Sequence, residues 1–228
     1  MNSYWGKFLN IINPDLCLIS GELLPDKREY RYIGDDKLLE LSPPPHPLTV
    51  RDRLLSEYDA DQLAISKIIS LFRIKDSVNV LNPIHLFKYT GITQIGEEFG
   101  FMLSKLIKVE DYDLLVPIPI HHARRRERGF NQSEIIAESI NSRTGIPVTT
   151  TILKRKKYTY SQAKLGRNER KTNLINKFSI VNKKSIFDKK ILLIDDVITT
   201  ATTANHCAEI LLKSGTRRVD LAVIAVSY

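Results

Sequence analysis

The stretch Ile191-Leu-Leu-Ile-Asp195-Asp196-Val-Ile-Thr199-Thr200-Ala201-Thr202-Thr203 constrains the fold of this chain more than any other. Four aliphatic residues in a row, with no polar alternation, predict a strand buried on both faces, as in a parallel sheet covered by helices. Two carboxylates and a hydroxyl-rich loop follow. Ala204, Ala208, Ile210, Leu211 and Leu212 then fall at helical spacing. Strand, polar loop and helix start is the unit whose ligands sit at the carboxyl end of the strand. Ionised Asp195 and Asp196 only accept hydrogen bonds, so they suit the vicinal hydroxyls of a ribose. Thr199 to Thr203 offer hydroxyls and backbone N–H groups at a helix N-terminus, where the macrodipole favours a phosphate. The ordinary alternative is a strand end followed by a Thr or Asp helix cap.

This arrangement resembles the phosphoribosyl pyrophosphate (PRPP) signature of type I phosphoribosyltransferases. The resemblance implies that Asp195 and Asp196 orient the ribose. It also implies that Thr199, Thr200, Ala201, Thr202 and Thr203 cradle the 5-phosphate. One residue departs from the pattern: the family usually has Gly where this chain has Ala201. If that position needs φ > 0, a Cβ there is a poor fit.

Two further segments narrow the resemblance. Val116-Pro-Ile-Pro-Ile-His121 leads into His122-Ala-Arg124-Arg125-Arg126-Glu-Arg128-Gly-Phe-Asn-Gln132. Leu153-Lys-Arg155 precedes Thr159-Tyr-Ser-Gln162, with Leu165, Arg170, Asn173 and Phe178 downstream. Together with the acid pair, these strings resemble the ComF family of competence-associated, phosphoribosyltransferase-like proteins, over a span from about Lys88 to the C-terminus. The residues read alone agree. Alternating prolines make Val116–Ile120 an odd central strand, better read as a short one that turns irregular near a site. The arginine run offers planar forks for phosphate, although a solvated basic loop is its commoner meaning. Asn131 or Ser133 suits a helix cap. In Lys88-Tyr89-Thr-Gly91 the resemblance places a loop that meets pyrophosphate, with Lys88 as a point charge. It assigns Lys88, Tyr89, Arg124, Arg125 and Arg128 to PRPP, and Gln132, Thr159 and Gln162 to the acceptor side or to a lid over Ser161–Lys177.

The fold expected is α/β: a type I phosphoribosyltransferase-like parallel sheet with helices on both faces, plus a small N-terminal appendage. Residues 1–50 form that appendage, with Ser42-Pro-Pro-Pro-His-Pro47 as a stiff linker, and residues 51–228 the main domain. Helices are expected over Ile92–Ile107, Ser133–Asn141 and Thr202–Ser214. Strands are expected over Leu114–Ile118, Val148–Leu153, Phe178–Val181, Lys190–Ile194 and Val219–Val226. No apolar run is long enough to span a membrane, and the N-terminus lacks the ordered parts of a secretory signal, which makes the cytoplasm the expected compartment.

Many proteins of the resembled family open with a four-cysteine zinc ribbon. Here Asp15-Leu-Cys17-Leu-Ile-Ser20-Gly21 has Ser20 where a second cysteine belongs, and the next cysteine is Cys207. Four cysteine ligands cannot be assembled. The expectation is no zinc and a metal-free turn packed by Trp5, Phe8, Leu9, Ile11 and Ile12.

The formal charge of +8 favours polyanionic partners. Tyr158 and Tyr160, between lysines, are suited to stacking on bases. Three functions follow. One is transfer of phosphoribosyl from PRPP, with Mg²⁺ carried on its pyrophosphate and no direct protein ligand to the metal, to an acceptor the residues do not define. The second is a non-catalytic competence accessory role in single-stranded DNA uptake, with DNA and a helicase-like protein as partners. The third is binding of PRPP or a nucleotide without turnover. No general base stands out, and the oligomeric state is open.

Overall fold

The computed structural model describes residues 16–25, 30–33, 44–55, 63–74, 80–155 and 178–227. Four strands form one fully parallel sheet: β1 (Ile68–Arg73), β2 (Leu114–Pro117), β5 (Lys190–Ile198) and β6 (Arg218–Val226). Their order is β1-β6-β5-β2. A separate antiparallel pair joins β3 (Leu153–Arg155) to β4 (Phe178–Ile180). The helices are α1 (Pro47–Leu55), α2 (Leu81–Tyr89), α3 (Thr93–Ser104), α4 (His122–Arg128), α5 (Gln132–Thr144) and α6 (Thr202–Lys213).

Alternate residues of the inner strands divide the core into two layers, because successive side chains of a strand point to opposite faces. Leu192, Ile194, Ala222 and Ile224 join Ile95, Phe99, Met102, Ile136, Ala137 and Ile140 of α3 and α5. Ile191, Leu193, Leu221 and Val223 join Val50 and Leu54 of α1, and Ala204, Cys207, Ala208 and Leu211 of α6. The sheet is therefore covered on both faces, as its uninterrupted aliphatic strands require. Helices α3 and α5 approach closely at Gly100, where a Cβ would lie 2.5 Å from Ser139 Cβ and 2.7 Å from the Ile136 carbonyl.

The described N-terminal residues close onto the first layer. Cys17, Ile19, Tyr30 and Ile33 are buried in the same core as α3 and α5. Around Cys17 the chain makes a knuckle: Gly21 N–H donates to the Cys17 carbonyl, Ser20 N–H to Cys17 Sγ, and Leu16 bridges Leu23. The expected turn thus exists. Glu98 of α3 then fastens the next segment, its carboxylate accepting the N–H groups of Arg31, Tyr32 and Ile33. Trp5, Phe8, Leu9, Ile11 and Ile12 lie outside the described residues, as do Ser42, Pro43 and Tyr158–Lys177.

Several boundaries differ from the sequence expectation. Strand β5 runs on through the acid pair to Ile198, because β6 continues beside it and pairs with Val197 and Ile198. The strand expected at Val148–Leu153 is only a one-residue bridge at Val148; β3 begins at Leu153. The arginine run is a helix, α4, ended by Gly129 in the left-handed conformation. Lys88 sits in the last turn of α2 rather than in a loop, and Gly91 beyond it takes φ +75°.

Candidate functional site

The site forms where β5 outruns β2. Pairing with β2 stops at Pro117, and the Ile118 N–H bond to the Ile194 carbonyl is the last between the two strands. Asp195 and Asp196 come next, on a strand still held by β6 on its other side. The mouth beside them is walled by the N-terminus of α5. There Asn131 caps the helix by accepting the Ser133 N–H, and its amide donates to the Ile118 carbonyl at 3.1 Å. Gly129, Asn131 and the fixed end of β2 thereby aim Ser133 at the acids.

The two carboxylates are held differently. Asp195 Oδ1 accepts Ser133 Oγ–H at 3.1 Å and the Asp196 N–H at 2.9 Å. Among the described residues its Oδ2 has no hydrogen bond. Asp196 Oδ1 accepts the Val197 N–H, and Oδ2 pairs with Lys88 Nζ at 2.9 Å. Burial, together with the neighbouring Asp196 charge, pushes the Asp195 pKa up to about 7; its hydrogen bonds and Lys88 oppose that rise without cancelling it.

Beyond the acids, Thr199 and Thr200 are exposed, and Ala201 is the N-cap residue of α6 at φ +52° with only 5% of its surface exposed. The position does demand the left-handed region, so the alanine carries the strain that glycine would avoid. Its carbonyl accepts the Asn205 N–H and starts the helix, and its own methyl side chain makes no cap bond. The Thr200 and Thr202 hydroxyls lie 2.9 Å apart. A helix start whose N-cap residue has no capping side chain, with hydroxyls around it, suits an anion.

The expected arginines divide. Arg125 makes a bidentate pair with Glu134 of α5, both contacts at 3.0 Å. Arg128 donates to Gln132 and to the Tyr89 hydroxyl, and its guanidinium lies 5.0 Å from the Tyr89 ring centroid. Arg124 and Arg126 are exposed. Gln132 is 1% exposed at the first turn of α5 beneath Arg128, and its amide nitrogen has no hydrogen bond among the described residues. Thr159 and Gln162 lie outside the described residues. One contributor was not assigned from the sequence: Ser133, as a ligand of Asp195. His121 Nδ1 accepts the Ala123 N–H, and its ring stacks 4.1 Å from that of His122. Arg155 ends β3, with its guanidinium 5.4 Å from the Phe178 ring centroid.

A doubly covered parallel sheet with an acid pair and a threonine loop at the end of its central strand defines a phosphoribosyltransferase-like α/β domain. Over 110 residues the chain is 34% identical to Competence protein F of Haemophilus influenzae, covering 48% of each. It is 29% identical to DNA utilization protein YhgH of Salmonella typhi, covering 60% of this chain and 63% of that protein. It is also 29% identical to Competence protein ComFC of Bacillus subtilis, covering 68% and 62%. The chain is therefore similar to competence proteins of the ComF type, and it spans about half to under two thirds of the length of these relatives. Among solved structures, a glutamine PRPP amidotransferase from B. subtilis complexed with ADP and GMP shares 20% identity, covering 56% of this chain and 25% of that one, at TM-score 0.42. No family model matches. No helix among the described residues is long and apolar enough to cross a membrane.

Proposed function

We propose that this domain binds PRPP at the end of β5. The observation that carries the reading is Asp195, whose Oδ1 is held by Ser133 while its Oδ2 makes no hydrogen bond among the described residues, followed a few residues along the chain by the hydroxyl-rich start of α6. The ribose hydroxyls donate to Asp195 and Asp196. The 5-phosphate accepts from the N–H groups and hydroxyls of Thr199–Thr203. On binding, Lys88 passes from Asp196 toward the pyrophosphate.

In the transfer reaction the bond from the anomeric carbon to the pyrophosphate oxygen breaks, and its electron pair leaves with pyrophosphate. A lone pair of the acceptor forms the new bond, and the acceptor loses a proton. Cations around the departing group lower the barrier more than any protein nucleophile would. Mg²⁺ keeps its waters and phosphate oxygens and takes few protein ligands; bound with PRPP beside Asp195 and Asp196, it would neutralise part of the pyrophosphate charge. The chain's own residues bind and orient. Asp195, poised near neutrality, is the group able to take up the acceptor's proton.

Thermal denaturation tests this reading. PRPP with Mg²⁺ at 100 times its Kd should stabilise the protein by about 2.7 kcal/mol, and Asp195→Asn/Asp196→Asn should remove the shift. Equal shifts in both proteins would place PRPP elsewhere.

A second reading has its own support. Relatives are named for competence and DNA utilization, and His122, Arg124, Arg126 and Lys154 present exposed basic groups. An accessory role in DNA uptake predicts single-stranded DNA binding that weakens steeply with salt and survives loss of both aspartates.

A further inference from the structure

At the end of the sheet away from the acid pair, an aromatic ring faces solvent. Phe187 is 70% exposed. It lies between a one-turn 3₁₀ helix, Lys183–Ile186, and the start of β5. About 20 Å of strand separates this turn from Asp195. The turn that presents the ring is held firmly. Ile186, fully buried, roots it in the core. The Asp188 N–H donates to the Gly215 carbonyl at 2.8 Å, and the Lys189 carbonyl accepts the Arg217 N–H at 2.9 Å, which ties the turn to the one before β6. The ring leans on Gly215, where a Cβ would lie 2.8 Å from its Cδ2. Asn182 and Asp188, on either side, both take positive φ, at 59° and 56°. Such conformations persist only where the surroundings impose them.

Cations belong to the same two turns. Lys183, Lys184, Lys189 and Arg217 are all exposed. Asp188 is the only carboxylate within residues 181–190 and 213–218. The other cations there are engaged: Lys190 donates to the Glu110 carbonyl, Lys213 pairs with Glu209 and Arg218 with Asp220. A fixed, open ring stacks on any base, because every base has a π-face, and cations beside it meet the phosphates. A duplex keeps its bases stacked inside, so a single strand is the form that offers one to such a ring. A lone aromatic on a turn, without an amphipathic helix, gives little membrane anchorage. We propose that Phe187, with Lys183, Lys184, Lys189 and Arg217, is a contact surface for single-stranded DNA. The proposal rests on the DNA-uptake reading and carries it to a surface other than α4. Placed there, a bound strand leaves the acid pair accessible.

The test is fluorescence anisotropy of a labelled single-stranded oligothymidylate with the full chain, across a salt series. Phe187→Ala and Phe187→Leu should each weaken binding by about fivefold or more, the scale of one lost base stack, with the salt slope unchanged. Phe187→Trp should restore it. Lys183→Gln/Lys184→Gln should flatten the slope of log affinity against log salt by about 0.7 for each phosphate contact removed. The side chains replaced are exposed, so every variant should keep the wild-type Tm. Salt-sensitive binding that is the same in wild type and in all these variants would overturn the surface and leave the DNA reading to α4. No binding by the wild type would end both. A third outcome also overturns the proposal: wild type sedimenting with anionic phospholipid vesicles, and Phe187→Ala failing to do so while its DNA affinity is intact, would make the turn a membrane contact.

Discussion

Replacing Asp195 by asparagine should make the ligand-free protein more stable and at the same time unable to hold ribose. In the folded chain the carboxyl titrates near 7, against an ordinary value of 3.8. A raised carboxyl behaves oppositely to one in a stabilising ion pair. Below pH about 4 it is protonated whether folded or not, and it contributes nothing. Between pH 4 and 7 the unfolded chain ionises while the folded one stays protonated, so stability falls as pH rises through that window and then levels. The full difference corresponds to about 4 kcal/mol. Asp195 keeps some solvent contact, so roughly half of that, about 2 kcal/mol, is the expected gain. The substituted side chain would still accept from Ser133 and the Asp196 N–H through its amide oxygen. For a chain of this size the gain is about 4–8 °C in Tm at pH 8. Thermal or urea denaturation of both proteins from pH 4 to 8 measures it. The gap should open between pH 4 and 7 and close toward pH 4. A variant less stable at pH 8, or a gap independent of pH, would refute the reasoning that the site stores unfavourable charge for its ligand.

Three further outcomes are expected. Ala201→Gly should stabilise the fold by about 0.5–1 kcal/mol, the left-handed strain relieved less the added freedom of the unfolded chain, and should bind PRPP at least as tightly; chemical denaturation and titration check both parts. Gly100→Ala should cost about 1–3 kcal/mol by driving α3 from α5, and an unchanged urea midpoint would contradict the close approach. Glu98→Ala should leave three N–H groups of residues 31–33 without their carboxylate, so that amide exchange there accelerates while β5 and β6 stay protected.

What could be read in the sequence depended on how each element is held. The strand into Asp195 and the helix after Thr202 were legible because burial imposes an apolar pattern on them. Helix α4 buries none of its residues, so its positions carry no apolar periodicity and read as a basic loop. Helix α2 is short, with Pro83 in its first turn, and its pattern resembled a mixed stretch. The strained loop was foreseeable from one residue, since Ala201 stands at a position that the motif gives to glycine. The Ser133–Asp195 bond was not, because it joins residues 62 apart that only the parallel sheet brings together. Likewise, sequence order gave no hint that Arg125 and Arg128 would spend their forks on Glu134, Gln132 and Tyr89.

The most direct measurement is calorimetric titration of the purified protein with PRPP and Mg²⁺, beside Asp195→Asn/Asp196→Asn as control. The account predicts saturable one-site binding by the wild type and none by the folded control. Equal binding by both, or none by a folded wild type, would contradict a PRPP site at the end of β5.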